Sequence, residues 1–589
     1  MKIKYFICFL TLLFCFQSCD IDEEILDESL GEDLLNTASV EALLAPSYSI
    51  LRNMLGHRVL FATSVYSSDE GMLPKRLDDW FDGGVFEDLQ KHKWLPTHPY
   101  ITWAWEDINS GIGRTISAID LLPANSRESA EATGLLGLYM LNSLDNFNVV
   151  PFRDITNIDF DAEPEILMGL DAVNKIVSVI ETAMPNLESG KNSIRFTQDA
   201  AKAVLARLYL NKAVFVDRYA SSFNFEAADM QNVISLTSQI IDGGLHALET
   251  EDYFSMFDID NENHKEIIFA SRNERNSPPL RGGHSVTRNS TNGMSRGLLL
   301  TDTTIGGSYL GGSDAGCTLP EFFDKWNQED SRFFSQRVPL PDGGIPAGPY
   351  FDSSGLLLVE NVSGVRIGGG DVGTTTLPTV RWTIPKEGKP FINRGFLIGQ
   401  QFGPYVKDSQ TARAYHYVGD SGQDVVFCAL LTKGNEIAIH TREVQYDAGS
   451  QTTGVRVIKW QIDIANKNRD DTGVDIPVFR LADMYLMRAE AKYRSGDVAG
   501  ALADVNAVRL ARNPDLAGFA LTSISIDDIL DERGFEFYWE YHRRTDQIRF
   551  GKWEDIWESK ASTDPNKRVF PIPPSVVAFN PGIDQNPGY

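Results

Sequence analysis

The chain has 589 residues, with 54 lysines and arginines against 81 aspartates and glutamates, a formal charge of −27. That sign excludes a surface built to hold nucleic acid or another polyanion, and a composition of 42% hydrophobic and 11% aromatic residues excludes an intrinsically disordered chain. Five cysteines, none at C-x-x-C spacing, exclude a disulfide scaffold, a zinc ribbon and a thioredoxin-like redox site.

Lys2 and Lys4 precede the apolar run Tyr5 to Phe16, which is too short to cross a bilayer core of about 30 Å as a helix. The run reads as the hydrophobic part of a signal peptide spanning residues 1–18. Gln17-Ser18-Cys19 then resembles a lipobox, with Cys19 as the acylated first residue of the mature chain and the acidic stretch to residue 35 as a tether. From Asn36 helical periodicity dominates. Ala200 to Leu210 and Phe225 to Ile241 form a helical hairpin closed by Gly243-Gly244. A second hairpin runs from Phe479 to Tyr493 and from Val498 to Arg512 around Ser495-Gly496-Asp497, with Ala489 and Ala501 at close-approach positions as in tetratricopeptide (TPR) repeats. Between these zones Gly and Pro cluster and short β-prone runs appear. The expected fold class is mostly α: a TPR-like frame over about 36–270 and 476–560, and a loop-rich part with short strands over about 271–475, all one domain from 36 to 589. Long loops on a rigid frame are where binding surfaces sit.

No motif calls for a cofactor or a metal. Gly368 to Gly373 matches G-x-G-x-x-G but runs into Thr374-Thr375-Thr376-Leu377-Pro378, so no helix opens to hold a phosphate. Gly419-Asp420-Ser421-Gly422 lacks the β-barrel context of a serine protease. The acidic turn Asp258 to Asn263 would place Phe269 at the last ligand position of an EF-hand. Glu532, Glu536 and Glu540 share one helix face, but Arg533, Arg543, Arg544 and Arg549 are interleaved with them, which favours an ion-pair network over the acid/base pair of a glycosidase.

The segment Leu530 to Trp553, containing Glu532-Arg533, His542-Arg543-Arg544, Asp546-Gln547-Ile548-Arg549 and Gly551-Lys552, resembles the C-terminal signature of the SusD/RagB family. Phe570-Pro571-Ile572-Pro573, Asn580-Pro581, Asn586-Pro587-Gly588-Tyr589, Arg480 to Ala491 and Glu266 to Phe269 resemble the same family in the same order. The resemblance implies a SusD-like helical fold in a non-catalytic, lipid-anchored protein of the Bacteroidetes outer membrane. Such a protein captures a glycan and delivers it to a SusC-like TonB-dependent transporter. The acidic residues after Cys19 resemble a surface-export signal of such lipoproteins. Gly534 and Ile112 depart from common family residues and leave the ligand open.

Stacking on sugar rings needs aromatic faces flanked by polar side chains. Arg76, Asp79, Trp80 and Phe81 lie in a turn-rich polar stretch, Trp94 on the next short loop, and Tyr309 and Trp382 in the loop-rich part; these are the expected ligand contacts. Trp103, Trp105, Trp539 and Trp553 fall on predicted helices and are expected in the core. A peptide- or glycopeptide-binding relative, a surface glycosidase and a TPR scaffold for protein partners remain as alternatives. Cys317 and Cys428 are open to being free or bridged.

Overall fold

The computed structural model describes residues 37–76, 82–274, 316–333, 394–398, 439–450, 453–460 and 472–589, together with the backbone of short strands between residues 358 and 429. The chain divides into two units, Met1–Leu43 and Leu44–Tyr589. The first is described only over the opening turns of helix α1 (Thr37–Met54), and everything below concerns the second.

The frame is made of α2 (Pro99–Leu121), α3 (Arg127–Phe147), α4 (Gly169–Ala183), α5 (Gln198–Val216), α6 (Ala227–Asp242), α7 (Leu481–Arg494), α8 (Val498–Arg512), α9 (Ile526–Phe537) and the short α10 (Arg543–Arg549). Side chains that satisfy the first backbone N–H groups begin α2, α3, α5, α8 and α9. Ser126 accepts from the N–H of Ser129 (3.0 Å), Asp497 from that of Gly500 (2.8 Å), and Ser525 and Asp528 form a reciprocal capping box. Gly496, with φ at 89°, supplies the left-handed turn between α7 and α8.

Helices consecutive in this series pack side by side from α2 to α8, and α3 also touches α5, α5 touches α7 and α7 touches α9. The result is an inner row of α3, α5, α7 and α9 and an outer row of α4, α6 and α8, the arrangement of stacked helical hairpins that the small-residue pattern predicts. Glycine allows the closest approach: a Cβ at Gly137 would stand 2.4 Å from Ile180 Cδ1, so α3 and α4 meet where no larger residue fits. Helices α6 and α7 are neighbours although residues 243–480 lie between them. Antiparallel pairing of Ile267–Ser271 with Ile476–Arg480 brings the two ends of that excursion together. The expected helical hairpins are thus α5–α6 and α7–α8.

A buried charge network binds the strand pair and the loop-rich part to the helical frame. Glu536 on α9 accepts from Arg512 Nη2 (2.6 Å) and Nε (3.2 Å), from Arg332 Nη1 (3.0 Å) and from Arg480 Nη1. Glu266 accepts from Arg480 Nη1 (3.0 Å) and from Arg512 Nη1 and Nη2 (2.9 and 2.7 Å). Glu532 pairs with Arg332 and Arg509, both at 2.6 Å, and Glu540 with Arg480 (2.8 Å) and Lys459. Burial alone would raise the Glu536 carboxyl, but Arg512, Arg480 and Arg332 reverse this and hold it well below the usual carboxylate range.

Candidate functional site

The turn-rich stretch expected to meet a ligand is framed on both sides. On its approach, the N–H of Lys75 donates to the carbonyl of Tyr446 (2.9 Å), and Arg76 forms a parallel bridge with Gly449. Arg76 Nη1 donates to the carbonyls of Ser450 (2.6 Å) and Thr453 (2.8 Å). On the far side, Asp82, Gly83 and Gly84 take φ values of 42°, 72° and 92°, a left-handed run in which only the aspartate carries a side chain. Asp79, Trp80 and Phe81 lie outside the described residues, as do Cys19, Tyr309 and Trp382.

Two expected ligand contacts are corrected. Arg76 is 1% exposed, and its guanidinium is engaged by backbone carbonyls. Trp94 is fully buried: its Nε1–H donates to the Tyr589 hydroxyl (2.6 Å), and its ring packs on His92 and Phe570 at 5.0 and 5.1 Å between centroids. Neither offers a face to a ligand. Arg76 ties the approach of the stretch to the segment at 449–453, and Trp94 anchors the C-terminal tail. Trp105, Trp539 and Trp553 are buried as expected, whereas Trp103 is only half-buried.

Trp103 belongs to a rim that the sequence reading did not pick out. His98 and Pro99 start α2, which sets Tyr100 and Trp103 one turn apart on one face, with ring centroids 5.4 Å apart. The Tyr100 hydroxyl donates to Asp82 Oδ2 (2.9 Å), and Arg58 Nη2 donates to the same oxygen (2.8 Å) while its guanidinium lies 5.7 Å from the Tyr100 ring centroid. Arg58 projects from the irregular turn His57–Phe61, where Arg58 and Val59 leave helical backbone angles. Its side chain and that of Asp82 are 31% and 33% exposed. Asp82 Oδ1 has no hydrogen-bond partner among the described residues. The nearest sequence signal was Asp82-Gly83-Gly84, since an aspartate before two glycines marks a turn able to hold a carboxylate outward.

Behind the rim, Asp69 accepts from Arg543 Nε (2.6 Å) and Nη2 (2.8 Å), and Glu70 Oε2 accepts from the N–H of Trp539 (3.1 Å). Glu70 Oε1 is buried without a partner, and burial pushes this carboxyl up to about 8. A separate cavity of about 90 Å³ lies between the inner helices and the 540–549 segment, lined among others by Asn142, Asp145, Asn211, His542 and Thr545. Cys317 is a free, buried thiol. Among the described residues no cluster of three or more histidines, cysteines and carboxylates is arranged to hold a metal ion, and no helix is long and apolar enough to cross a membrane.

Residues 407–589 match the SusD family. The starch-binding protein SusD of Bacteroides thetaiotaomicron is 24% identical over 557 residues, which cover 90% of this chain and 86% of that protein. The fold is shared with a SusD superfamily protein from Parabacteroides distasonis (TM-score 0.60, 17% identity, 94% of this chain and 99% of that one). A laminarin-binding SusD-like protein shares it too (TM-score 0.59, 18% identity, 94% and 100%). The C-terminal third of the chain matches the SusD family, and the mostly helical architecture is the one found in solved SusD superfamily structures.

Proposed function

We propose that this protein captures glycans at the outer surface of the cell and passes them to a SusC-like TonB-dependent transporter without cleaving them. The observation that carries this reading is the alignment to a starch-binding protein along nine tenths of the chain, supported by the fold it shares with a laminarin-binding protein. In this reading residues 1–18 are removed, Cys19 carries the lipid, residues 19–35 tether the protein to the outer membrane, and residues 36–589 act as one domain. Asp79, Trp80 and Phe81, with Tyr309 and Trp382, contact the sugar.

Two features support capture without cleavage. Of the carboxylates expected on one helix face, Glu532 and Glu536 lie on α9 and Glu540 beyond its end; they are 1%, 0% and 3% exposed and each is engaged by an arginine. A retaining or inverting glycosidase needs two carboxyls about 5–10 Å apart in an open cleft, one of them able to hold a proton near neutral pH. At Glu536, Arg512, Arg480 and Arg332 work against that proton.

The test is calorimetric titration of the purified protein against starch, laminarin and other plant, host and fungal polysaccharides, with Trp80→Ala in parallel and each mixture assayed for new reducing ends. Binding without new ends, weakened in the variant, is the expected result. New reducing ends would overturn the non-catalytic reading, and silence across the panel with binding of peptides would move the ligand class to peptides.

A further inference from the structure

Two buried arginines stand outside the charge network that ties the fold together. Arg332, Arg480, Arg512, Arg533, Arg543 and Arg549 are buried, and each meets at least one carboxylate at 2.8 Å or less. Arg544 on α10 and Arg218 just beyond α5 are buried as deeply, at 1% and 3% exposure, and meet backbone instead. Arg544 Nη2 donates to the carbonyl of Arg568 (2.7 Å), and Arg218 Nη2 to that of Leu144 (2.8 Å). The Nε and Nη1 groups of both arginines, and the neighbouring Tyr219 hydroxyl, are buried without an acceptor among the described residues. Aromatic rings lie against the guanidiniums: Arg544 is 4.4 Å from the Phe570 centroid and 5.2 Å from that of Trp553, and Arg218 is 5.1 Å from that of Phe215. A ring attracts the cation through its face but accepts little from the in-plane N–H groups, which still call for an acceptor.

Arg568 joins the two. Its carbonyl receives Arg544, its Nη1 donates to the carbonyl of Arg218 (3.1 Å), and its own charge is met by Glu554 (2.7 Å). The carboxylate that acts on both Arg218 and Arg544 is Asp145 on α3. Its Oδ1 is 3.7 Å from Arg218 Nη1, and its Oδ2 accepts from the Thr545 hydroxyl (2.7 Å). Two guanidiniums against one carboxylate leave one positive charge in excess. Arginine does not shed its proton to escape burial, and a buried charge without a counter-charge is costly. Burial pulls Arg218 below its ordinary value and Arg544 down to about 10, whereas carboxylates raise Arg332, Arg480 and Arg549 against the same burial. The cavity of about 90 Å³ reaches this corner, since Asp145, Phe215 and Thr545 are part of its lining. A dianion would bring more charge than the cluster lacks and would face Asp145. A halide brings one charge and accepts N–H groups from several directions.

We infer that Arg218 and Arg544 hold a monovalent anion of halide size, which takes an N–H from each guanidinium and the Tyr219 hydroxyl and fastens the end of α5 to α10 and to the segment at 568–570. The site stands apart from the glycan-capture reading and does not depend on it. Thermal unfolding of the full chain in sodium chloride, and in sodium gluconate at equal ionic strength, tests it, with Arg544→Met, Arg218→Met and the exposed control Glu128→Gln in parallel. We expect chloride to stabilise wild type and control, the folding equilibrium constant rising about tenfold when chloride reaches about ten times its dissociation constant. Gluconate, too large for the corner, should not act in this way. Each methionine variant keeps apolar bulk but neither charge nor donor, and should lose the chloride response. A crystal soaked in sodium bromide should show an anomalous bromide peak within hydrogen-bond distance of both guanidiniums. Unfolding that does not distinguish chloride from gluconate, a chloride response that survives in both methionine variants, or bromide density missing between the arginines overturns the inference. The bromide measurement uses wild type, so it decides the question even where a methionine variant does not fold.

Discussion

Replacing Glu536 by glutamine tests the role assigned to the buried charge network. The carboxylate receives four hydrogen bonds from three guanidiniums, at full burial. A glutamine keeps the shape and one accepting oxygen, but it removes the charge and turns an amide NH₂ toward arginine N–H groups that can only donate. Arg332 retains Asp330 and Glu532, Arg480 retains Glu266 and Glu540, and Arg512 retains Glu266. The loss is therefore of one shared counter-charge, and removing one partner of a buried ion pair costs roughly 3–5 kcal/mol. Against a typical stability of about 5–15 kcal/mol, that is a large fraction. The assay is urea unfolding followed by tryptophan fluorescence at pH 7, with Glu128→Gln as control, because the Arg127–Glu128 pair is exposed and such pairs contribute at most about 1 kcal/mol. The pH dependence adds a second reading. A carboxyl held below its unfolded value stabilises the fold above that value, about 4.3, and loses its contribution as pH falls toward the folded one. Wild type should therefore lose more stability than Glu536→Gln between pH 5 and pH 3. A glutamine variant as stable as the Glu128→Gln control at pH 7 would refute the network as a fastening of the fold.

Glu490, which Arg549 and Arg494 hold down to about 2 against the opposing effect of burial, should contribute to the same acid loss, and Glu490→Gln should flatten the stability profile between about pH 4.5 and pH 2. Glu70 behaves oppositely. Its folded value near 8 exceeds the unfolded one, so its presence lowers stability as pH rises from about 4.5 to 8, and the unfolding temperature of Glu70→Gln should gain on wild type across that interval; a constant difference would show that Glu70 does not hold its proton. Gly137→Ala should destabilise by about 1–3 kcal/mol through overpacking on Ile180, and the loss should shrink when Ile180→Ala is added in a double-mutant cycle. Trp94→Ala should lower stability by roughly 3–5 kcal/mol, whereas Trp80→Ala should weaken glycan binding at unchanged unfolding temperature; the reverse pattern would restore Trp94 as a contact.

Much of the frame was legible because its signals are local. Ser495-Gly496-Asp497 announces a turn, and the helical period of the flanking segments does the rest. The arginines interleaved with Glu532, Glu536 and Glu540 announced ion pairs but not their partners: Arg533 pairs with Asp483 and Asp546, Arg543 with Asp69 and Arg549 with Glu490. The members of the network around Glu536 did not announce themselves: Arg332, Arg480 and Arg512 reach it, and Glu266 shares Arg480 and Arg512 with it, from separate parts of the chain, and pairing at such separations leaves no periodic trace. Trp94 looked like a loop aromatic because turn-forming neighbours say nothing about a C-terminal tail folding over it. Trp103 looked like core because helical periodicity identifies a face, not the depth at which that face lies. Asp82 was passed over because its significance comes from Arg58 and Tyr100, which a sequence reading does not bring beside it.

The pairing of Ile267–Ser271 with Ile476–Arg480 closes the residues between them into one excursion from the frame. Its two ends are hydrogen-bonded neighbours, so the frame meets the same junction whatever length of chain passes between them. Closing a flexible excursion costs only about 0.6 kcal/mol for each doubling of its length. Changes in the length of the excursion can therefore be absorbed at this junction, provided that Arg332 and Lys459 still reach Glu536 and Glu540.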